Sequence, residues 1–252
     1  MDLELRDHLE TTDLCPDEGE ARRWRVRARV LAVSPALETG DFEQITPQDL
    51  TRLYEAYDQA FFGDLLRVER LGTTGVLVGL RLSERMTRTA GLTQRRHLGA
   101  DVWEYDLAFS LPLLWQSFAG EDRPVAVSGR RCTDRLDALQ RVFEHELLHL
   151  VEFLAYDTSS CKRHRFRYFA KGMFGHTASS HNLVTSRELA WRTKGDCVGH
   201  LVEFDHDGRT LAGRVMRIVK RASVRVEIKA SDGRVFVRTF YVPLGRLRLL
   251  RA

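Results

Sequence analysis

Apolar side chains that recur every three or four positions predict three helices in the middle of the chain. The first begins after Thr46, which suits an N-cap, and ends at Gly63. The second begins at residue 133 or 134 and extends to about residue 155. The third covers residues 163–173. These lengths are typical of a globular domain.

Alternating or short continuous apolar runs predict strands around these helices. Residues 23–31 alternate four apolar side chains with four arginines, which is the pattern of a half-buried strand. The acidic residues 1–21 show no apolar periodicity and predict a loose arm. Residues 76–82 and 101–111 predict two further strands, and residues 85–91 lead into a third, weaker one.

From Lys194 onward the pattern changes to short strands separated by turns. The candidate strands are 198–204, 210–218, 224–229 and 235–242. Asp-Gly pairs between them are strong hairpin signals, so this region predicts a small all-β SH3-like barrel. We therefore expect an α+β fold in three parts: an acidic arm and strand (1–45), a catalytic α+β domain (46–193) and the barrel (194–252).

Composition narrows the class of protein. Of 252 residues, 43% are hydrophobic and 29% charged, which excludes a disordered chain. The apolar runs are far shorter than the roughly 20 residues of a membrane span, and an acidic N-terminus does not resemble a signal peptide. We expect a cytoplasmic protein without a membrane partner. Its four widely spaced cysteines predict reduced thiols rather than disulfides.

Charge is distributed unevenly along the chain. The formal net charge is +4, yet residues 194–252 carry +7 and the remainder −3. A second basic cluster, without acidic residues, covers positions 162–171. Such clusters predict phosphate contacts with DNA or RNA, although a solvated arginine-rich surface is the alternative. The candidate nucleic-acid-binding residues are Arg163, Arg165, Arg167, Lys220 and Arg221.

The sequence His145-Glu146-Leu147-Leu148-His149 matches H-E-x-x-H and lies within the long predicted helix. One helical turn separates the two histidines, so both rings project from one face and can bind one metal ion. Glu146 is placed to accept a proton from the attacking water. The alternative is a pair of surface histidines on an ordinary helix. The apolar residues that continue the histidine face favour the metal site, with zinc as cofactor.

The order of elements resembles the SprT-like, Spartan-related metalloprotease family. The resemblance covers roughly residues 46–190 and is carried by four segments: 53–62, 86–91, 143–150 and 166–177. It implies a zincin-like fold, a zinc-dependent endopeptidase and a protein substrate associated with or crosslinked to DNA.

In that family the third zinc ligand is a histidine, followed by glycine, at the start of the helix after H-E-x-x-H. Spacing from His149 matches His164, although Arg165 stands where glycine is expected. The apolar pattern of the helix matches Lys162 instead, which cannot bind zinc while charged. His164 is therefore the favoured ligand, followed by Cys161 and then His176.

Zincins bind their substrate along an edge strand, and Trp103–Leu111 is the candidate by position, an internal strand being the alternative. The sequence does not identify the group that stabilises the oxyanion. A second hypothesis comes from a different class: a nucleic-acid-binding protein whose metal site is structural or degenerate.

Overall fold

The computed structural model describes residues 2–12, 15–119, 123–185, 188, 198–218, 221–229, 233–243 and 246–250. The fold is α+β, as predicted, and the chain divides into two compact units, residues 1–184 and 185–252. The predicted boundary between Thr193 and Lys194 lies outside the described residues. Within the described ranges, no helix has both the length and the apolar character that crossing a membrane requires.

The first unit packs helices against a small mixed sheet. Its helices are α1 (Leu3–Thr11), α2 (Pro16–Val33), α3 (Pro47–Tyr57), α4 (Val68–Thr73), α5 (Leu111–Ser117), α6 (Arg135–Tyr156) and α7 (His164–Phe174), with a π-helical turn at Asp58–Phe62. Its strands are β1 (Val76–Ser83), β2 (Gly91–Gly99), β3 (Val102–Ser110), β4 (Val125–Val127) and β5 (Arg130–Cys132).

The N-terminal predictions are wrong: the segment forms two helices rather than a loose arm and a strand. In α1, Leu5 and Leu9 are buried one turn apart, and the Asp2 carboxylate caps the first turn. In α2, Arg23 and Arg27 are buried because they pair with Asp137 and Asp134 of α6. Four arginines suggested a polar strand face, yet two of them belong to the buried helix face.

The central helix α6 is almost entirely buried. Asp134 caps it, accepting the N–H of Asp137. Against one side, Phe143 stacks on Phe109 of β3, with ring centroids 5.1 Å apart. Aromatic stacking on the sheet therefore fixes the helix that carries H-E-x-x-H.

The sheet of the first unit has the order β1-β3-β2. β3 pairs in parallel with β1 and antiparallel with β2, so Trp103–Leu111 supplies the internal strand and not the edge. Residues 85–91 lead into a strand, as predicted, but of these only Gly91 belongs to it. The Ser83 hydroxyl accepts the N–H groups of Arg85 and Met86, which turns the chain there, and β2 begins at Gly91.

The second unit is an antiparallel sheet of order β10-β6-β7-β8-β9. Its strands are β6 (Leu201–His206), β7 (Arg209–Ile218), β8 (Ala222–Lys229), β9 (Val235–Val242) and β10 (Arg248–Leu249). The four predicted strands agree with β6 to β9 within three residues at each end. A separate core, including Phe204, Val224 and Phe240, lies on one face of this sheet.

Candidate metal centre

Three possible ligands converge beside α6. The rings of His145 and His149 lie on the same helix face with centroids 5.0 Å apart. Cys161, in the loop between α6 and α7, approaches them so that one donor atom of each residue lies within 4.8 Å of the others. All three residues are half-buried. Two imidazoles and a thiol are a donor set that could hold one metal ion.

The orientation of the His149 ring is set by a chain of hydrogen bonds. The Ser159 hydroxyl donates to Glu152 Oε2 over 2.8 Å and lies 2.7 Å from His149 Nδ1. Because the hydroxyl hydrogen goes to the carboxylate, Nδ1 carries the ring proton and donates to Ser159. This tautomer leaves Nε2 free to bind a metal. Metal-binding histidines commonly donate their other ring N–H to a hydrogen-bonded group in this way, which fixes the ring orientation.

Glu152 also holds the loop that supplies Cys161. Its side chain is fully buried and accepts a hydrogen bond from Arg165 Nε over 2.7 Å. Arg165 in turn donates to the carbonyl oxygen of Thr158. One carboxylate on α6 thus fixes both ends of residues 158–165, and with them the position of the thiol.

Burial keeps both histidines neutral. Phe166 of α7 packs on the rings of His145 and His149, with centroid distances of 4.9 and 4.6 Å. Burial, followed by the nearby charges of three other histidines, lowers the pKa of His145 to about 3. Burial also lowers the pKa of His149. Neutral imidazoles are the form that binds metal ions.

Glu146 is buried between α6 and β2. The Thr93 hydroxyl lies 2.7 Å from Glu146 Oε2 and 3.0 Å from its carbonyl oxygen. Burial raises the pKa of Glu146 to about 7, against the opposing effect of the Thr93 hydrogen bond. Gly91 makes room for this side chain, because a Cβ there would lie 2.5 Å from Glu146 Cγ. The site thus contains a carboxylate poised to exchange a proton near neutral pH.

Comparisons with protein-family models, curated proteins and solved structures find no match to this chain.

The structure does not bring His164 to the other ligands. Its side chain is exposed at the first residue of α7 and stacks on the Tyr168 ring. Cys161, the second choice from the sequence, takes the position that spacing assigned to His164. Arg165, which replaces the expected glycine, has a role of its own as the partner of Glu152.

Two other histidines lie close enough to His145 to lower its pKa, although neither joins the cluster. His176 is buried and donates from Nε2 to Glu144 Oε2 over 2.8 Å, and Tyr57 donates to the other oxygen. His181 is half-buried beside β4, where it forms an isolated bridge with Val127. The Nδ1 atoms of both rings are buried without a hydrogen-bond partner in the described structure.

The candidate nucleic-acid-binding residues differ in solvent exposure and in whether their charge is already paired. Arg163 and Arg167 are exposed on the outer side of α7, together with Lys171 and the 67% exposed Tyr168. Arg165 is only half-buried and paired, so its charge is already compensated. In the second unit Arg221 is exposed, whereas Lys220 lies outside the described residues.

Sequence reasoning missed the residues that hold the site in place: Gly91, Thr93, Glu152 and Ser159. Glu152 carried a weak signal, because it follows His149 by three positions and so lies one turn along the same helix. The Ser159-Ser160-Cys161 run offered polar groups and a thiol, but its position against α6 depends on the loop conformation.

Proposed function

We propose that this chain is a zinc-dependent endopeptidase with the metal held by His145, His149 and Cys161. The observation that carries the proposal is the convergence of these three donors beside the buried carboxylate of Glu146. Imidazole nitrogen and cysteine sulfur ligands beside a general base are typical of a hydrolytic zinc site.

The donor set fits zinc. Imidazole nitrogen and cysteine sulfur are its preferred protein ligands, whereas magnesium and calcium prefer oxygen. Three protein ligands are the number found in catalytic sites, in contrast to the four of structural ones. Among the described residues, the cluster comprises these three alone, which favours a catalytic role over a structural one.

Each surrounding residue has a definite task in this proposal. Bound zinc would polarise the scissile carbonyl group and acidify the attacking water. Glu146 accepts the proton of that water and delivers it to the leaving amine. Thr93 and Gly91 hold the carboxylate in position, while Ser159 and Glu152 hold the ring of His149.

The substrate strand is β2. It is one of the two edge strands of its sheet and pairs only with β3 in the described structure. Of the two edges, β2 is the one whose residues Gly91 and Thr93 contact Glu146. An extended peptide that added to this edge as a further strand would run past the Glu146 carboxylate, the general base of the proposal. This assignment replaces β3, which the sequence had favoured.

The resemblance to SprT-like peptidases supports proteins on or crosslinked to DNA as substrates, and the C-terminal sheet is consistent with an SH3-like barrel. The exposed basic side of α7 supports contact with nucleic acid close to the site, since its Phe166 packs on both histidines from the other side of the same helix. A peptidase that works beside phosphates would use such a surface.

The test compares zinc content and cleavage of a denatured protein substrate, with and without DNA, in four purified proteins. Wild type should hold about one zinc per chain and cleave. Glu146→Gln should keep the metal and lose cleavage, and Cys161→Ala should lose both. His164→Ala is the matched control and should keep both.

A contrary result would separate the alternatives. Zinc bound by wild type without cleavage under any condition would favour a nucleic-acid-binding protein with a structural or degenerate site. Metal lost in His164→Ala but retained in Cys161→Ala would refute the ligand assignment.

A further inference from the structure

The five-stranded sheet of the second unit has one buried and one solvent-facing side. In β8 and β9, Val224, Val226, Phe240 and Val242 point to the core. Because side chains alternate along a strand, Arg225 and Tyr241 point to the opposite side. Both are exposed, and Tyr241 is 68% accessible. A tyrosine this exposed buries little of its ring within its own sheet.

Strand register places the tyrosine among arginines. Tyr241 pairs with Ser223, which pairs with Arg217. In the next row of the same face, Arg225 pairs with Arg214. Residues two positions apart on neighbouring strands lie about 7–8 Å from each other, so these side chains form one continuous surface. We call Arg214, Arg217, Arg225 and Tyr241 the sheet-face patch.

The positive charge of this patch is largely uncompensated by the described residues. Arg217 and Arg225 form no ion pair within the described structure, and Arg214 donates only to the Gly199 carbonyl oxygen. Acidic residues on the same side lie toward the other end of the strands. Two of them, Glu203 and Asp205, are already bound by Arg248, and the third is Glu227. Among the residues that the structure describes, a polyanion would therefore meet guanidinium groups without an acidic partner at this end of the sheet.

We propose that the sheet-face patch binds single-stranded nucleic acid, with phosphates on the arginines and one base stacked on Tyr241. Guanidinium groups bind phosphate in a planar, bidentate manner. An aromatic ring on an open sheet can stack only on a base that is not already stacked within a duplex. The strand alternation that exposes the tyrosine thus selects for unpaired bases. The inference extends the nucleic-acid contact proposed above and does not depend on the metal centre.

The experiment measures binding of the full-length protein to a fluorescein-labelled 15-nucleotide oligothymidylate by anisotropy. Tyr241→Ala should weaken binding at least about fivefold, the lower end of the effect of losing a stacked base, whereas Tyr241→Phe should bind as wild type. Arg225→Gln should weaken binding and reduce the slope of log affinity against log salt by about 0.7, the value for one phosphate contact on a single strand.

The same strand supplies matched controls on the other face. Phe236 is exposed and Arg238 lies over Phe240, both on the side opposite to Tyr241. Phe236→Ala and Arg238→Gln remove the same kinds of groups, and should leave binding within about twofold of wild type. Circular dichroism of every variant confirms that the sheet is retained.

Three outcomes would overturn the inference. The first is equal losses in Tyr241→Ala and Phe236→Ala. The second is tighter binding of a 15-base-pair duplex than of the oligothymidylate. The third is competition by heparin with no effect of Tyr241→Ala, which would show attraction to any polyanion. Zinc content and DNA-free cleavage are measured on the control variants Phe236→Ala and Arg238→Gln and should equal those of wild type. A failure of the peptidase proposal would therefore appear in the zinc and cleavage measurements and not in the oligothymidylate affinities.

Discussion

Ser159→Ala isolates the hydrogen-bond chain behind His149. The substitution removes two contacts, one to the His149 ring nitrogen at 2.7 Å and one to the Glu152 carboxylate at 2.8 Å. Glu152 keeps its bond to Arg165, so the loop should remain folded. The His149 ring, however, loses the group that fixes its tautomer.

The expected magnitude follows from these contacts. Losing an outer-shell partner of a metal-binding histidine typically weakens metal affinity about 10- to 100-fold, which corresponds to about 1.4–2.7 kcal/mol. Folding stability of the metal-free protein should fall less, by about 1 kcal/mol, the net value of a typical hydrogen bond. The metal affinity is thus the more sensitive readout.

The assay titrates zinc against a chromogenic chelator, alongside urea unfolding of the metal-free protein. Ser160→Ala is the matched control, because it deletes the neighbouring hydroxyl, for which the described structure shows no hydrogen bond. It should bind zinc within about twofold of wild type. Equal affinities for the Ser159→Ala and Ser160→Ala proteins would refute the proposed role of the chain.

Three further predictions concern the surroundings of the site. Gly91→Ala places a methyl group 2.5 Å from Glu146 Cγ, so the variant should retain zinc but cleave at least tenfold more slowly. Gly72→Ala is the control, because open space surrounds that glycine, and it should change neither zinc content nor cleavage. Full cleavage by Gly91→Ala would contradict the proposed role of Gly91. Burial raises the pKa of Asp58 to about 6, so the folded state holds this proton more tightly than the unfolded chain, and stability is lost as the pH rises through 6. Asp58→Asn should therefore raise the free energy of unfolding by about 1–2 kcal/mol at pH 8, after allowance for solvent screening. At pH 3.5 it should leave the free energy of unfolding unchanged, and urea titrations at both pH values test this. Arg23→Leu removes the close ion-pair partner of the buried Asp137 and, among the described residues, leaves it only Arg141, whose Nε lies 3.8 Å away, so the substitution should lower the free energy of unfolding by about 3 kcal/mol. Arg25→Leu, exposed on the same helix, should lower it by less than about 0.5 kcal/mol. Similar urea midpoints for the two variants would count against a structural role of the Arg23–Asp137 pair.

The helices and strands were predictable wherever the buried side chains are apolar, because the hydrophobic pattern then follows burial. The helix beginning after Thr46, the α6 and α7 helices and four strands of the second unit were found from periodicity and turn residues. The pattern failed where polar residues are buried. Arg23 and Arg27 reach carboxylates in α6, more than 100 residues away, and no local signal distinguishes them from solvated arginines.

The candidate site divides in the same way. The sequence by itself determined the pairing of His145 with His149 and the position of Glu146, because ligand spacing within one helix is a local property of its 3.6-residue period. Only the tertiary structure decided the rest. The ion pair between the buried Glu152 and the half-buried Arg165 folds the loop so that Cys161, and not His164, joins the two histidines. The order of the sheet decided that β2 lies beside Glu146. Both depend on contacts between distant segments, which spacing along the chain does not encode.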